Sequence, residues 1–372
     1  MSFTPRRNKY ERFPIWARVC LGIAVLSAII LLVARKNVAF ATFFNSNISG
    51  PFRAILAFIT NLVPFSLAEL FIIFIPIIIA VLILHAVKKR SESIRSILVY
   101  SATLISAASL FFSAFVFSFG VGYHTPTLYD RFDIPSDGVS TDQLRASAIK
   151  LAEKINDLTP FIDYNADGAS VMPYTFSKMN DLLNESYAEI NHKYDFIQGF
   201  KSRIKPVLLS VPMSYTHLTG IYSVFTGEAN VNVDFPDYTL PYTAAHELAH
   251  QRGISRENEA NFVAFLVTKD INDPYIQYCA YLNMFEYVAS ALRYADAEAF
   301  NSVYSRLSSE AQGELAAYSE FFSKYRGSKA GEVSEAINNA YLIANGTTEG
   351  TKSYGLVVDL TVAYLEGAFD EK

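Results

Sequence analysis

Three stretches of the chain are dominated by apolar residues, at about 15–34, 65–87 and 97–119. Each has the roughly 20 residues that a helix needs to cross a bilayer. In lipid every backbone polar group must be paired internally, so these stretches are expected to be helices. Residues 1–120 are therefore expected to form a three-helix transmembrane region. The apolar run from Phe52 to Val63 is too short to span, and is expected to rest at the interface or re-enter.

After Gly120 the pattern becomes that of a globular domain, expected over residues 121–372. Asp133, Pro135, Asp137 and Gly138 mark a loop. Leu144, Ala148, Leu151, Ile155 and Leu158 recur at helical spacing, which predicts a helix over Thr141 to Leu158 capped by Ser140 or Thr141. A second helix is predicted over Tyr174 to Tyr194, and a third from Pro241 to Gln251. Glu257 to Lys269, Pro274 to Arg293, Ala297 to Arg306, Ser309 to Tyr325 and Val333 to Ala344 are also predicted to be helical. Asn230 to Asp234 alternates polar and apolar residues, as in a short strand that is polar on one face. The domain is thus mainly α with a small β element, without an internal repeat.

Composition sharpens this picture in three ways. The chain is 51% hydrophobic with mean hydropathy +0.20, high for a soluble protein, and the excess lies in the first third. The net charge of −5, with no basic stripe beyond that third, excludes a general nucleic-acid role. Two cysteines, Cys20 and Cys279, build neither a disulfide framework nor a cysteine zinc site.

Arg6, Arg7, Lys9, Arg12 and Arg18 flank the first span, and Lys88, Lys89, Arg90 and Arg95 lie between the second and third. Both clusters are expected in the cytoplasm, which puts the globular domain on the extracytoplasmic side of the cell membrane. Arg35, Lys36 and Arg53 run against that rule. Ala39-Phe40-Ala41 has the look of a signal cleavage site, but Arg35 and Lys36 interrupt the path to it, and the first span is read as a retained anchor. Pro76 and Glu69 interrupt the second span. Glu69 is expected to reach the wet interface.

The segment His246-Glu247-Leu248-Ala249-His250 carries the chemistry. Histidines at i and i+4 share one helix face, so both imidazoles can bind one Zn2+ ion. Glu247, beside the first, is placed as general base for a metal-activated water. The competing reading is a pair of buried histidines with ordinary hydrogen bonds. Catalytic zinc takes three protein ligands and leaves a fourth position open. Glu257 and Glu259 both follow after a Gly253 turn. Glu257 shares a face with the small residues Ala260, Asn261 and Ala264, which suits close approach to the histidine helix, whereas Glu259 sides with Phe262, Val263 and Leu266. Glu257 is therefore the expected third ligand, against a solvated first-turn carboxylate. Asn261 either orients a ligand histidine through its second ring nitrogen or is an ordinary polar helix residue.

These residues, His246, Glu247 and His250 followed by Glu257-Asn258-Glu259-Ala260-Asn261, resemble the zincin peptidases, in the branch whose third ligand is a glutamate in a Glu-x-x-Ala-Asp or Glu-x-x-Ala-Asn pattern. His246 to Gly253, together with Gly227 to Asn232 and Ser353-Tyr354-Gly355, is similar to an uncharacterised family of bacterial multi-pass membrane proteins with a predicted zincin domain. The resemblance implies a zincin-like α+β catalytic domain that hydrolyses peptide bonds in a peptide or protein substrate. It departs from many glutamate-type relatives in the short spacing, since only six residues separate His250 from Glu257. Arg256 stands where other zincins carry a histidine ligand, and arginine cannot ligate zinc.

The strand with Asn230 and Asn232 either holds an extended substrate by edge pairing or completes a small sheet. Tyr354, beside Gly355, is the candidate oxyanion donor. The alternative function is a zincin-like sensory or binding domain without a proteolytic role.

Overall fold

The computed structural model describes residues 13–134, 138–345 and 355–369, so the predicted loop at Pro135 and Asp137 lies outside them. The first long apolar stretch is helix α1, Ile15–Lys36. Asn37 accepts a hydrogen bond from the Phe40 backbone N–H and starts α2, Val38–Phe44. A π-helical turn, Asn45–Ser49, leads into α3, Gly50–Thr60. Then come α4, Leu67–Glu92, and α5, Ile94–Ser118. Helices α1, α4 and α5 are each long and apolar enough to cross a membrane.

Their packing follows side-chain size. Ala17, Ser27 and Ala34 of α1 and Ser106 and Ser113 of α5 are buried, and the Ser109 hydroxyl reaches the Cys20 carbonyl at 3.5 Å. Small residues let helices approach closely where lipid gives no hydrophobic drive. Helix α4 behaves differently. Only Glu69 and Lys89 are buried along it, and its isoleucines and phenylalanines face outward.

The globular part opens with a short α6, Leu128–Phe132, and α7, Thr141–Leu158. Ser140 caps α7 through a reciprocal box with Gln143. Next come α8, Phe176–Lys193, then β1, Lys205–Pro206, and a one-turn α9, Ser210–Ser214. Strands β2, Gly220–Ser223, and β3, Glu228–Val231, precede α10, Thr239–Gln251. The chain closes with six helices: α11, Glu257–Lys269; α12, Pro274–Ala295; α13, Ala297–Tyr304; α14, Ser309–Ser323; α15, Lys329–Ala344; and α16, Leu356–Leu365. The predicted stripe of α7, Leu144 to Ile155, packs against α12, and α10 and α11 lie side by side over the same core.

The sheet order is β1-β3-β2, with β1 parallel and β2 antiparallel to β3. The expected strand over Asn230 to Asp234 is therefore shifted and is not polar on an open face. Its residues Glu228 to Val231 are all buried, because a middle strand is covered on both edges and, here, on both faces.

The globular part is bonded directly to the membrane helices. Glu228 accepts hydrogen bonds from the Leu67 and Ala68 N–H groups at 3.0 and 2.9 Å, satisfying orphan donors at the start of α4. Lys205 lies 3.7 Å from Glu228 and donates to the carbonyls of Thr60, Val63 and Phe65. Glu69 does not reach out to water as the sequence suggested. It is buried and accepts from the Leu208 and Leu209 N–H groups at 3.0 and 2.6 Å. Arg53, the cation that ran against the charge rule, is also fully buried. Its guanidinium donates to Ser118 O, to Asn45 and to Gln198, joining α3, α5 and the globular part.

Candidate metal centre

Helix α10 presents His246 and His250 one turn apart, with ring centroids 4.6 Å from each other. Its end is a Schellman reversal: the Gly253 N–H donates to His250 O, and the Ile254 N–H to Ala249 O. Gly253 has φ +104°, which an L side chain adopts only under strain. The reversal serves the site twice. It brings Glu257, the first residue of α11, back over the histidines within six residues. It also turns the Ile254 carbonyl onto His250 Nδ1 at 2.7 Å, which holds the proton there and frees Nε2 as a ligand. A methyl at 253 would lie 2.6 Å from the Arg53 guanidinium. Gly253→Ala is thus expected to cost at least about 1–2 kcal/mol of backbone strain. In thermal unfolding it should read as a lower midpoint.

His246 Nε2 lies 3.3 Å from one Glu257 carboxylate oxygen, and His250 Nε2 lies 3.5 Å from the other. The three groups offer ligand atoms all within 4.8 Å of one another. A direct charge-assisted hydrogen bond closes to about 2.7–2.9 Å. Ligands held about 2.0–2.1 Å from a tetrahedral ion stand about 3.3–3.4 Å apart. The observed spacing fits the second arrangement. The carboxylate and the imidazoles also stabilise each other's charged forms. Burial opposes ionisation of Glu257, but His250 and His246 outweigh it and hold the carboxyl well below its usual range. Burial also opposes a charge on His250, yet Glu257 and Glu247 push it up to about 9. These shifts are those of an imidazolium–carboxylate pair, and the same two imidazoles and carboxylate are also a zinc donor set.

Glu247 lies beside His246, His250 and Glu257, close enough for its carboxyl to feel the charge of all three. Burial raises it to about 7, while His246, His250 and the Tyr222 backbone amide pull the other way. The edge strand β2 crosses it at Gly220. A Cβ there would sit 2.5 Å from Glu247 Oε1 and 2.9 Å from Thr243 Cγ2. Gly220 therefore lets the strand lie against the acid. Gly220→Ala is expected to displace the Glu247 side chain and strain the contact between β2 and α10. A lower thermal unfolding midpoint than that of the unsubstituted chain checks this.

His246, Glu247, His250 and Glu257 meet as the sequence predicted, and Glu259 is not among them. Its carboxylate accepts from the Leu128 N–H at 3.0 Å and from Arg256 at 3.3 Å. Arg256 also donates to Tyr123 O and Thr125 O, so this pair anchors the chain that follows α5. Ser255 does not cap α11, because its hydroxyl donates to Phe119 O.

Asn261 borders the cavity but orients neither histidine. The second nitrogen of His250 is taken by Ile254, while His246 Nδ1 and Asn261 Nδ2 have no hydrogen-bond partner. The substrate role of Asn230 and Asn232 is also corrected. Both are buried. Asn230 donates to Ile221 O and Glu228 O, and Asn232 donates to Ser214 Oγ and Leu218 O. They brace the sheet, and the free edge facing the cavity belongs to β2. Tyr354 lies outside the described residues. Two tyrosines that no sequence motif marks stand near Glu257. Tyr123 donates to Tyr341 at 3.3 Å, and both phenols feel the Glu257 charge. Burial keeps both protonated, with Tyr341 raised to about 12. Nothing singles them out among 23 tyrosines in the sequence.

A cavity of about 2180 Å³ opens over the cluster. Fold and site together define a chain with three membrane-length helices and a helix-borne histidine pair completed by a glutamate, at the floor of a large cleft. The chain belongs to the family described as Protein of unknown function (DUF3810), whose profile matches residues 44–362. No curated protein and no solved structure matches it.

Proposed function

We propose that this chain is a membrane-anchored zinc peptidase whose globular domain lies outside the cytoplasm. The observation that carries the reading is the convergence of His246 Nε2, His250 Nε2 and both Glu257 oxygens, with Glu247 beside them at the floor of an open cavity. A structural zinc site closes with a fourth protein ligand. Among the described residues the cluster has three, which suits a catalytic site. Zinc held there supplies Lewis acidity, making water acidic near neutral pH and polarising a carbonyl. Glu247 takes the proton of the attacking water and returns it to the leaving amine. The free edge of β2 pairs with an extended substrate backbone and lays it across Glu247. Tyr341, a protonated phenol lining the same cavity, donates to the developing oxyanion.

The lysines and arginines between α4 and α5 hold that end in the cytoplasm, so the metal domain, bonded to the other end, faces outward. The test uses the purified full chain. About one zinc per chain and cleavage of a mixed-sequence peptide pool, lost on chelation and restored by zinc, are the expected results. A folded chain without zinc overturns the reading.

A sensory role is the second reading, favoured by one contact. The ring of Phe119, just past α5, stacks edge-on against His250 at 5.5 Å, so metal occupancy would be felt at a membrane helix. Physiological function retained in Glu247→Gln would select it.

A further inference from the structure

The cleft over the metal cluster does not end in water. It continues between α4 and α5, where Leu67, Phe71, Ile72, Ile75, Phe111 and Phe115 line it. Its volume of about 2180 Å³ is at least twice that of a pocket for a small ligand. Helix α4 packs on α5 less extensively than α1 does, and leaves its apolar residues outward. Phe225, at the tip of the β2–β3 turn, reaches down to Phe111 with ring centroids 5.2 Å apart. The substrate-binding edge of the sheet thus runs directly into the membrane-facing groove. On the far wall Val333 and Ile337 of α15 are exposed to the same space.

We infer that the substrate of this site carries a long acyl chain that lies in the groove while its polar part reaches the metal cluster. This rests on the peptidase reading above and names its substrate class. The depth of the groove selects an acyl chain over a membrane-spanning peptide. From Leu67 to Ile75, and from Phe119 back to Phe111, the helices descend about 12 Å at 1.5 Å per residue. That is close to one leaflet of a hydrocarbon core about 30 Å thick. Below it α4 and α5 close together: the Tyr100 hydroxyl donates to Leu82 O at 3.1 Å, and the rings of His85 and Tyr100 lie 5.0 Å apart. A spanning helix would need an open lane through both leaflets, whereas a lipid tail needs only one. Moving a tail from lipid into an apolar groove changes its surroundings little, so its contribution is positional. It holds the polar part at the cluster at high effective concentration.

The test compares N-palmitoylated and N-acetylated forms of one mixed-sequence fluorogenic peptide pool, with the zinc-loaded full chain in phosphatidylethanolamine–phosphatidylglycerol nanodiscs. The palmitoylated pool is expected to be cleaved with kcat/KM at least about 10-fold higher. Ala68→Trp or Ile75→Trp, which fill the groove, should bring that ratio to near one while zinc content stays at one per chain. Equal cleavage of both pools by the unmodified chain overturns the acyl inference and leaves the peptidase reading standing. A palmitoyl preference that persists in both tryptophan variants also overturns it, because simple partitioning into the bilayer would then explain the ratio. If neither pool is cleaved although zinc is bound, the peptidase reading fails. The groove is then read separately, from crosslinking of a diazirine-bearing palmitoyl peptide to Glu247→Gln. Labelling of residues 68–75 and 111–119 several-fold above that in the tryptophan variants supports occupancy by an acyl chain, and equal labelling overturns it.

Discussion

Glu247→Gln should leave about one zinc per chain and lower peptide cleavage by roughly 10²–10⁴-fold, the usual contribution of a positioned general base. The glutamine has the same shape, so it still fits beneath Gly220 and beside the Tyr222 amide. The proposed ligands His246, His250 and Glu257 are untouched, which is why metal content should not change. Only basicity is removed. In the native chain burial raises the Glu247 carboxyl to about 7, matched to proton transfer near neutral pH. Turnover and zinc content measured on the same preparation check the two halves together. Full activity in this variant would assign the base elsewhere.

The second large effect is expected at Glu257. Glu257→Ala removes the only anionic group of the cluster and leaves two neutral donors one turn apart on α10. Loss of a supporting contact around a metal costs about 10–100-fold in affinity, and loss of a ligand should exceed that. Zinc titration against a competing chelator should therefore show at least about 100-fold weaker binding, with cleavage lost at limiting zinc. Glu259→Ala is the contrast. It should keep zinc near wild-type affinity, because Glu259 serves Arg256 and the Leu128 N–H rather than the cluster. Its effect should be a lower unfolding midpoint, as a part-buried arginine and a buried helix-start N–H lose their partner. Stoichiometric zinc in Glu257→Ala would move the third ligand to another residue.

Those parts of the protein that depend on local periodicity were legible in the chain. Uninterrupted apolar length marked α1, α4 and α5, and a stripe at helical spacing marked α7 with its Ser140 cap. Two histidines at i and i+4 placed their rings side by side on one face of α10, because helix geometry alone sets that spacing. Even Glu257 was legible, since Gly253 permits the reversal and the small face of Ala260 and Ala264 permits close approach. Tertiary structure decided everything that depends on which surface is covered. Alternation at Asn230 to Asp234 cannot tell an edge strand from a middle one, so the free edge over the cluster turned out to be β2. Asn261 faces the cavity without orienting a histidine, because the Ile254 carbonyl takes that place through a backbone reversal. Glu69 and Arg53 resembled interface charges, but long-range partners bury them and tie the globular part to its helices. Gly220, Tyr123 and Tyr341 reach the cluster only by folding, from strands and helices far apart in the chain. The groove between α4 and α5 belongs to this second group as well. Hydropathy reports that a helix is apolar, and packing alone determines whether its apolar face meets lipid, another helix or a site.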